Sequence, residues 1–182
     1  DKSVGDILKR LDELGLAEDT IVIFTSDHGH FLGHHGLIAK GPFHCEDLLR
    51  IPFIVRWPGR VPAGVQSSAL QSLVDMAPTL LNLAGVPVPH GMTGVDQSEV
   101  WTGANAKARD HVVVEDRFSP TTVHIKTYID ERYKLTVYYN QPYGNLYDLE
   151  EDPGEHNNLW DDPGAKELKH ELILKLLFAE MG

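Results

Sequence analysis

The sequence is poor in several things, and each shortage removes a class of function. A single cysteine, Cys45, rules out an intrachain disulfide and leaves no Cys-x-x-Cys pair for a structural zinc site. Cations are scarce: Lys plus Arg 16 against Asp plus Glu 27 gives a formal net charge of -11, so no basic field matches the phosphates of a nucleic acid. No nucleic-acid partner is expected, and an anionic substrate would have to be met by local cations. No apolar run approaches the ~20 residues of a membrane-spanning helix, and the first residues lack the pattern of a signal peptide. No transmembrane segment is therefore expected. Internal repeats and low-complexity tracts are absent as well.

What the chain does have is material for a core, with 42% hydrophobic residues over 182 positions. Val4, Ile7, Leu8, Leu11 and Leu14 recur at helical spacing behind the capping pair Ser3 and Asp6, which predicts a helix over residues 4–15 stopped by Gly15. Ile21-Val-Ile-Phe-Thr25 is a continuous β-branched and aromatic run of the kind buried on both faces of a parallel sheet. Helix and strand make half of a βαβ unit whose first strand would lie upstream of Asp1. A short helix is expected over 45–49, a strand over 52–56 opening on Pro52, and a helix carrying Leu73, Met76, Ala77, Leu80, Leu81 and Ala84 that ends at Gly85. Residues 86–108 read as irregular. Beyond them, runs at 111–115, 124–129, 134–139 and 146–148 predict a small antiparallel sheet. Leu168, Leu172, Ile173, Leu176 and Leu177 mark a terminal helix packed on it. The expected fold class is α/β: the end of a mixed or parallel sheet core flanked by helices in residues 1–105, then an α+β subdomain of antiparallel sheet and terminal helix in residues 106–182.

Residues suited to chemistry concentrate between Ile21 and Lys40, where the apolar run opens into a glycine-punctuated polar loop. Ligands of open α/β sheets sit beyond such strand ends. Asp27 offers a hard oxygen and His28 a nitrogen, half of a divalent-metal site, unless Asp27 merely caps the turn and His28 bonds locally. Gly29, Gly33 and Gly36 allow close backbone approach or positive φ. His30, His34, His35 and His44 enrich the segment in imidazole. His30 and His34 have the spacing of a helical zinc pair, yet Gly29 and Gly33 oppose a helix, so these histidines either contact substrate or simply occupy the loop. Lys40, between Ala39 and Gly41-Pro42, is set to bury its stem partly and aim an ammonium at an oxyanion, against the plain alternative of a solvated lysine. Cys45 stands beside Glu46 and Asp47, which raise a thiol pKa, and reads as structural rather than nucleophilic.

Thr25-Ser-Asp-His-Gly29 with Leu32-Gly-His-His-Gly36, Lys40-Gly-Pro42 and Arg50-Ile-Pro-Phe53 resembles the second half of the sulfatase family, within the alkaline-phosphatase-like superfamily. The likeness continues through Ser72-Leu-Val-Asp-Met-Ala-Pro-Thr-Leu-Leu81, Leu83-Ala-Gly-Val-Pro87, Glu131-Arg-Tyr-Lys134, Leu146-Tyr-Asp-Leu-Glu-Glu-Asp-Pro-Gly-Glu155 and Asn157-Asn-Leu159. It implies a sulfuric ester hydrolase, an arylsulfatase-like enzyme in which a cysteine-derived formylglycine hydrate attacks the sulfur of a sulfate ester while calcium holds the ester oxygens. Asp27 and His28 match two metal ligands of the family, and Lys40 matches its sulfate-binding lysine. His30, His34, His35, His90 and His124 are further candidates to line the substrate pocket. The family's Cys/Ser-x-Pro/Ala-x-Arg nucleophile motif has no counterpart here. The resemblance thus implies a C-terminal portion that needs an N-terminal half of the same protein, and that releases no sulfate alone.

Family members carry Asn or His where His28 stands, and its nitrogen suits manganese or zinc better than hard calcium. Phosphonate monoester hydrolases and related phosphodiesterases share the Asp-His-Gly loop and form the nearest enzymatic alternative. A non-catalytic binding module is another: the antiparallel sheet with Tyr128, Tyr138, Tyr139 and Tyr143 would hold a polyanionic glycan or a partner protein. The family setting is periplasmic, secreted or lysosomal; the sequence itself leaves the compartment open.

Overall fold

The computed structural model describes residues 1–103, 105–118 and 123–181. They form two compact units, one of Asp1–Asp27 with Pro52–Ala108, the other of His28–Ile51 with Arg109–Gly182. Among the described residues, no helix is long and apolar enough to cross a membrane.

The first unit opens with helix α1 (Lys2–Glu13), which follows Asp1 without a side-chain capping bond; of the expected Ser3–Asp6 pair, Asp6 is bound by Lys2 Nζ at 2.6 Å. Gly15 takes φ +67° at its end, where a side chain would be strained. Strands β1 (Val22–Thr25) and β2 (Phe53–Arg56) pair antiparallel, with Val22 opposite Arg56 and Thr25 opposite Phe53. This corrects the parallel, doubly buried reading of residues 21–25: Phe24 is 45% exposed and Ile54, its partner, 60%. An apolar run carries no information about the direction of its neighbour, and here the visible face is open. A 3-10 turn (Leu73–Asp75) leads into α3 (Met76–Leu83).

The stretch expected to be irregular contains a helix, α4 (Ser98–Trp101); position 104 of that stretch lies outside the described residues. Four residues are too few to show a period, and tertiary hydrogen bonds hold this turn. Asp75, fully buried, accepts from the backbone N–H groups of Ser72 and Val95 and from Gln97 Nε2, at 2.9, 2.8 and 3.1 Å. Thr79 Oγ1 accepts from the Gln97 N–H at 2.9 Å. The buried carboxylate is thereby satisfied and ties the entry of α3 to that of α4.

The second unit contains α2 (Glu46–Leu49) and an antiparallel sheet in the order β3 (Val112–Phe118), β4 (Val123–Ile129), β5 (Tyr133–Tyr138), β6 (Gly144–Asp148). Strand alternation assigns its two faces. Tyr128, Leu135 and Leu146 turn to the terminal helix α5 (Lys166–Met181) and form a core with Ala165, Leu172 and Leu176. Each buried Leu contributes about 1.5–3 kcal/mol. Leu168 packs at the edge of this core, whereas Leu177 is 51% exposed and Ile173 also lies open. Residues 168, 172 and 176 share one helix face; 173 and 177 fall about 100° around the axis and miss the sheet. Tyr128 belongs to the core, so of Tyr128, Tyr138, Tyr139 and Tyr143 only the last two are exposed.

The other face of β4 and β5 carries a buried polar row of Thr127, Thr136 and Lys134. It receives the segment 28–51. His44 Nδ1 pairs with Thr127 Oγ1 at 2.7 Å, and Thr127 with Thr136 at 2.8 Å between hydroxyls. Lys134 Nζ donates to Glu46 Oε1 at 3.0 Å and forms an ion pair with Glu155 Oε1, and Glu155 Oε2 accepts from the Glu46 N–H at 2.6 Å. The sheet is therefore a platform with the terminal helix on one side and the histidine-rich segment on the other.

Candidate functional site

The loop after β1 is held by backbone proximity. Gly29 donates its N–H to the Leu48 carbonyl at 2.9 Å, and a Cβ on Gly29 would stand 1.8 Å from the Asp47 carbonyl oxygen. Only glycine permits that approach. Phe31 is buried, stacks edge-on against Phe43 at 5.9 Å between centroids and donates its N–H to the Ala39 carbonyl at 3.0 Å. Between these anchors the chain turns sharply: Leu32, His35 and Ala39 take φ +51°, +50° and +65° without being glycine. Such conformations persist only where the surroundings over-determine them, and they gather at functional sites.

His28 and Lys40 meet in this loop. His28 Nε2 lies 2.6 Å from Lys40 Nζ, and Nδ1 lies 2.8 Å from the Gly29 carbonyl oxygen. A carbonyl only accepts and an ammonium only donates, so the ring carries its proton on Nδ1 and presents the Nε2 lone pair. That lone pair is what a metal would require, and its tautomer is set by the second nitrogen's hydrogen bond. Lys40 is exposed, without the expected partial burial of its stem, and follows Ala39 in the left-handed conformation. Asp27 is exposed, and its Oδ1 accepts from Ser26 Oγ at 3.3 Å.

The remaining histidines separate. His30 is exposed and its Nδ1 accepts weakly from the Leu32 N–H at 3.4 Å. His34 and His35, in a single 3-10 turn (His34–Gly36), both reach Asp47: His34 Nδ1 is 2.9 Å from Oδ1 and His35 Nε2 is 3.5 Å from Oδ2. No local pattern joins Asp47 to these rings, since α2 brings it back from thirteen residues away. His124 sits on β4 among Glu115 and Arg117, at 2.9 and 3.3 Å, with its ring tilted over Tyr139. His90 is exposed in the first unit. Burial, reinforced by the Glu155 carboxylate, pushes the Cys45 thiol up to about 11, against any nucleophilic role.

Asp27 offers an exposed carboxylate and His28 an imidazole whose Nε2 is engaged by Lys40 at 2.6 Å; both are donor types found in divalent-cation shells. Two protein ligands need others to complete a shell.

Residues 33–181 match the family model described as N-sulphoglucosamine sulphohydrolase, C-terminal. An N-acetylglucosamine-6-O-sulfatase of Bacteroides thetaiotaomicron is 33% identical over 180 residues, 95% of this chain and 32% of the relative. An ulvan-active sulfatase of Formosa agariphila is 32% identical over 192 residues, 100% of this chain and 37% of the relative. The chain thus spans about a third of the length of these curated relatives. Among solved structures, one in complex with its substrate D-glucosamine-2-N,6-O-disulfate superposes with a TM-score of 0.91 at 30% identity, over 99% of this chain and 38% of that one. The phosphonate monoester hydrolase of Agrobacterium radiobacter superposes at 0.88 with 27% identity, over 99% and 38%. The architecture is accordingly that of the alkaline-phosphatase-like fold, and the chain belongs to the sulfatase family, whose C-terminal region it matches.

Proposed function

We propose that this chain supplies one wall of the active site of a sulfuric ester hydrolase acting on sulfated carbohydrate. The observation that carries the reading is the 2.6 Å contact between Lys40 Nζ and His28 Nε2 at the end of a strained glycine loop. It sets an ammonium beside a metal-competent lone pair. Asp27 and His28 would hold a divalent cation, calcium with oxygen ligands supplied by the rest of the protein, or manganese or zinc in keeping with the imidazole nitrogen. When bound, such a cation neutralises the ester oxygens and stabilises charge on the departing oxygen. Lys40 binds the sulfate group through its ammonium; a cation taken by His28 Nε2 would replace the 2.6 Å contact and leave that ammonium to the anion beside it. Gly29 holds both against α2. His30 stands exposed at the rim as a substrate contact. The formylglycine nucleophile belongs to the remaining protein, so residues 1–182 alone release no sulfate.

The test uses the complete protein that carries this chain. Lys40→Ala is expected to lower kcat/KM for a 6-O-sulfated glucosamine about 10²–10³-fold, the usual cost of one preorganised charge contact. A variant as active as the parent would overturn the assignment of Lys40. The second reading, phosphonate monoester hydrolysis, is favoured by the 0.88 superposition on such an enzyme. Rates on matched aryl sulfate and aryl phosphonate esters separate the two; a preference for the phosphonate selects the second.

A further inference from the structure

A second group of ligating side chains lies in the same unit, and neither Asp27, His28 nor Lys40 belongs to it. We infer that His34, His35 and Asp47 form a separate binding site for a late first-row divalent metal, zinc foremost, that fastens the site loop to α2.

Consecutive residues on an ordinary turn project their side chains apart. Here His35 takes φ +50°, a left-handed conformation that a histidine adopts rarely, between Gly33 and Gly36, which share it. The consequence is convergence: His34 Nδ1, His35 Nε2 and a carboxylate oxygen of Asp47 all lie within 4.8 Å of one another. Bonds of ~2.0–2.1 Å in a tetrahedral shell place donor atoms about 3.3 Å apart. The separations from Asp47 Oδ2, 3.0 Å to His34 Nδ1 and 3.5 Å to His35 Nε2, already bracket that value. The chemistry of the trio, two imidazoles and one carboxylate, suits zinc rather than the oxygen-only shell of calcium or magnesium.

The backbone supports the same reading. Phe31 meets the His35 ring edge-on at 6.3 Å, and the His156 ring stands 5.9 Å from it, so His35 is held in position. Asp47 is fixed by its place on α2, whose neighbouring carbonyl at Leu48 receives the Gly29 N–H. His34 remains solvent-facing, with its side chain 58% exposed, which leaves an entry path and room for a water as fourth ligand. A deeper trio of His35, Cys45 and Glu155 has comparable spacing. Glu155 is occupied there by Lys134, so the outer trio is the better site. Metal at the outer trio would cross-link the 3-10 turn to α2, and would hold the loop that carries His28 and Lys40.

The site is independent of the sulfatase reading, and the experiment keeps them apart. The complete protein, stripped with chelator, is titrated with Zn²⁺ against a chromophoric indicator. One equivalent is expected to weaken about tenfold or more in each of His34→Ala and Asp47→Ala, while Asp27→Asn leaves it unchanged. Loss of the equivalent in Asp27→Asn alone, or no difference between the parent and Asp47→Ala, overturns the site. Circular dichroism checks that the variants fold. The unaltered protein gives a second readout: Zn²⁺ should protect His34 and His35, but not His30, from carbethoxylation followed by peptide mass spectrometry. Equal modification of all three with and without zinc overturns the proposal as well.

Discussion

The two units treat apolar surface in opposite ways. In the second, Leu135, Leu146 and Leu172 are fully buried, the sheet has α5 on one face, and a satisfied polar row meets segment 28–51 on the other. In the first, α1 buries none of its residues, and among the described residues β1 and β2 pair only with each other. A two-stranded sheet with Phe24 and Ile54 in water is marginal by itself and presents unpaired edges. The contrast shows where the candidate chemistry is mounted. His28 and Lys40 belong to the unit with the closed core, and Asp27 follows β1 in the other.

The comparison breaks first at Lys134. Its ammonium is buried between Glu46 and Glu155, and Lys134→Ala leaves their carboxylates uncompensated. The expected loss is about 3–5 kcal/mol in urea unfolding followed by Trp160 fluorescence. A change below 1 kcal/mol would mean, by about that margin, that the polar face does not hold the loop. Leu172→Ala, on the opposite face, should cost about 2–5 kcal/mol by the same measurement.

His44 adds a pH dependence to the second unit. Burial lowers its pKa from 6.5 to about 4, with Asp116 opposing and Lys134 assisting. The unfolded chain takes up this proton first, so the folded state is favoured fully above pH 6.5 and loses that contribution as pH falls toward about 4. The span is worth up to about 3 kcal/mol, and His44→Gln should flatten it in a stability series across that window.

The smallest effect is expected in the first unit. Ile54→Ser, at an exposed position, should change unfolding stability by about 0.5 kcal/mol or less, yet reduce self-association of the isolated chain in light scattering after size exclusion. A large destabilisation would show that the open face is closed in solution, and the contrast between the units would fall.

Much of this was legible beforehand. The antiparallel sheet of β3 to β6 was visible in its alternation and turns, α3 in its period and Gly85 stop, and the loop at Ser26 to Lys40 in its glycines and histidines. Each signal is local, fixed by backbone geometry and side-chain type within a few residues. The antiparallel direction of β1 and β2, the exposure of Ile173 and Leu177, and α4 were not, because each depends on a partner elsewhere in the chain.

The same division runs through the site. The sequence by itself determined the loop, its ligand types and the family they resemble, since motif and spacing lie along the chain. Only the tertiary structure decided that Lys40 meets His28, that Lys134 joins Glu46 to Glu155, and that His34 and His35 turn together onto Asp47. Those are contacts across twelve, eighty-eight, twenty-one and about a dozen residues, set by how α2 and the sheet pack, and no local pattern encodes them.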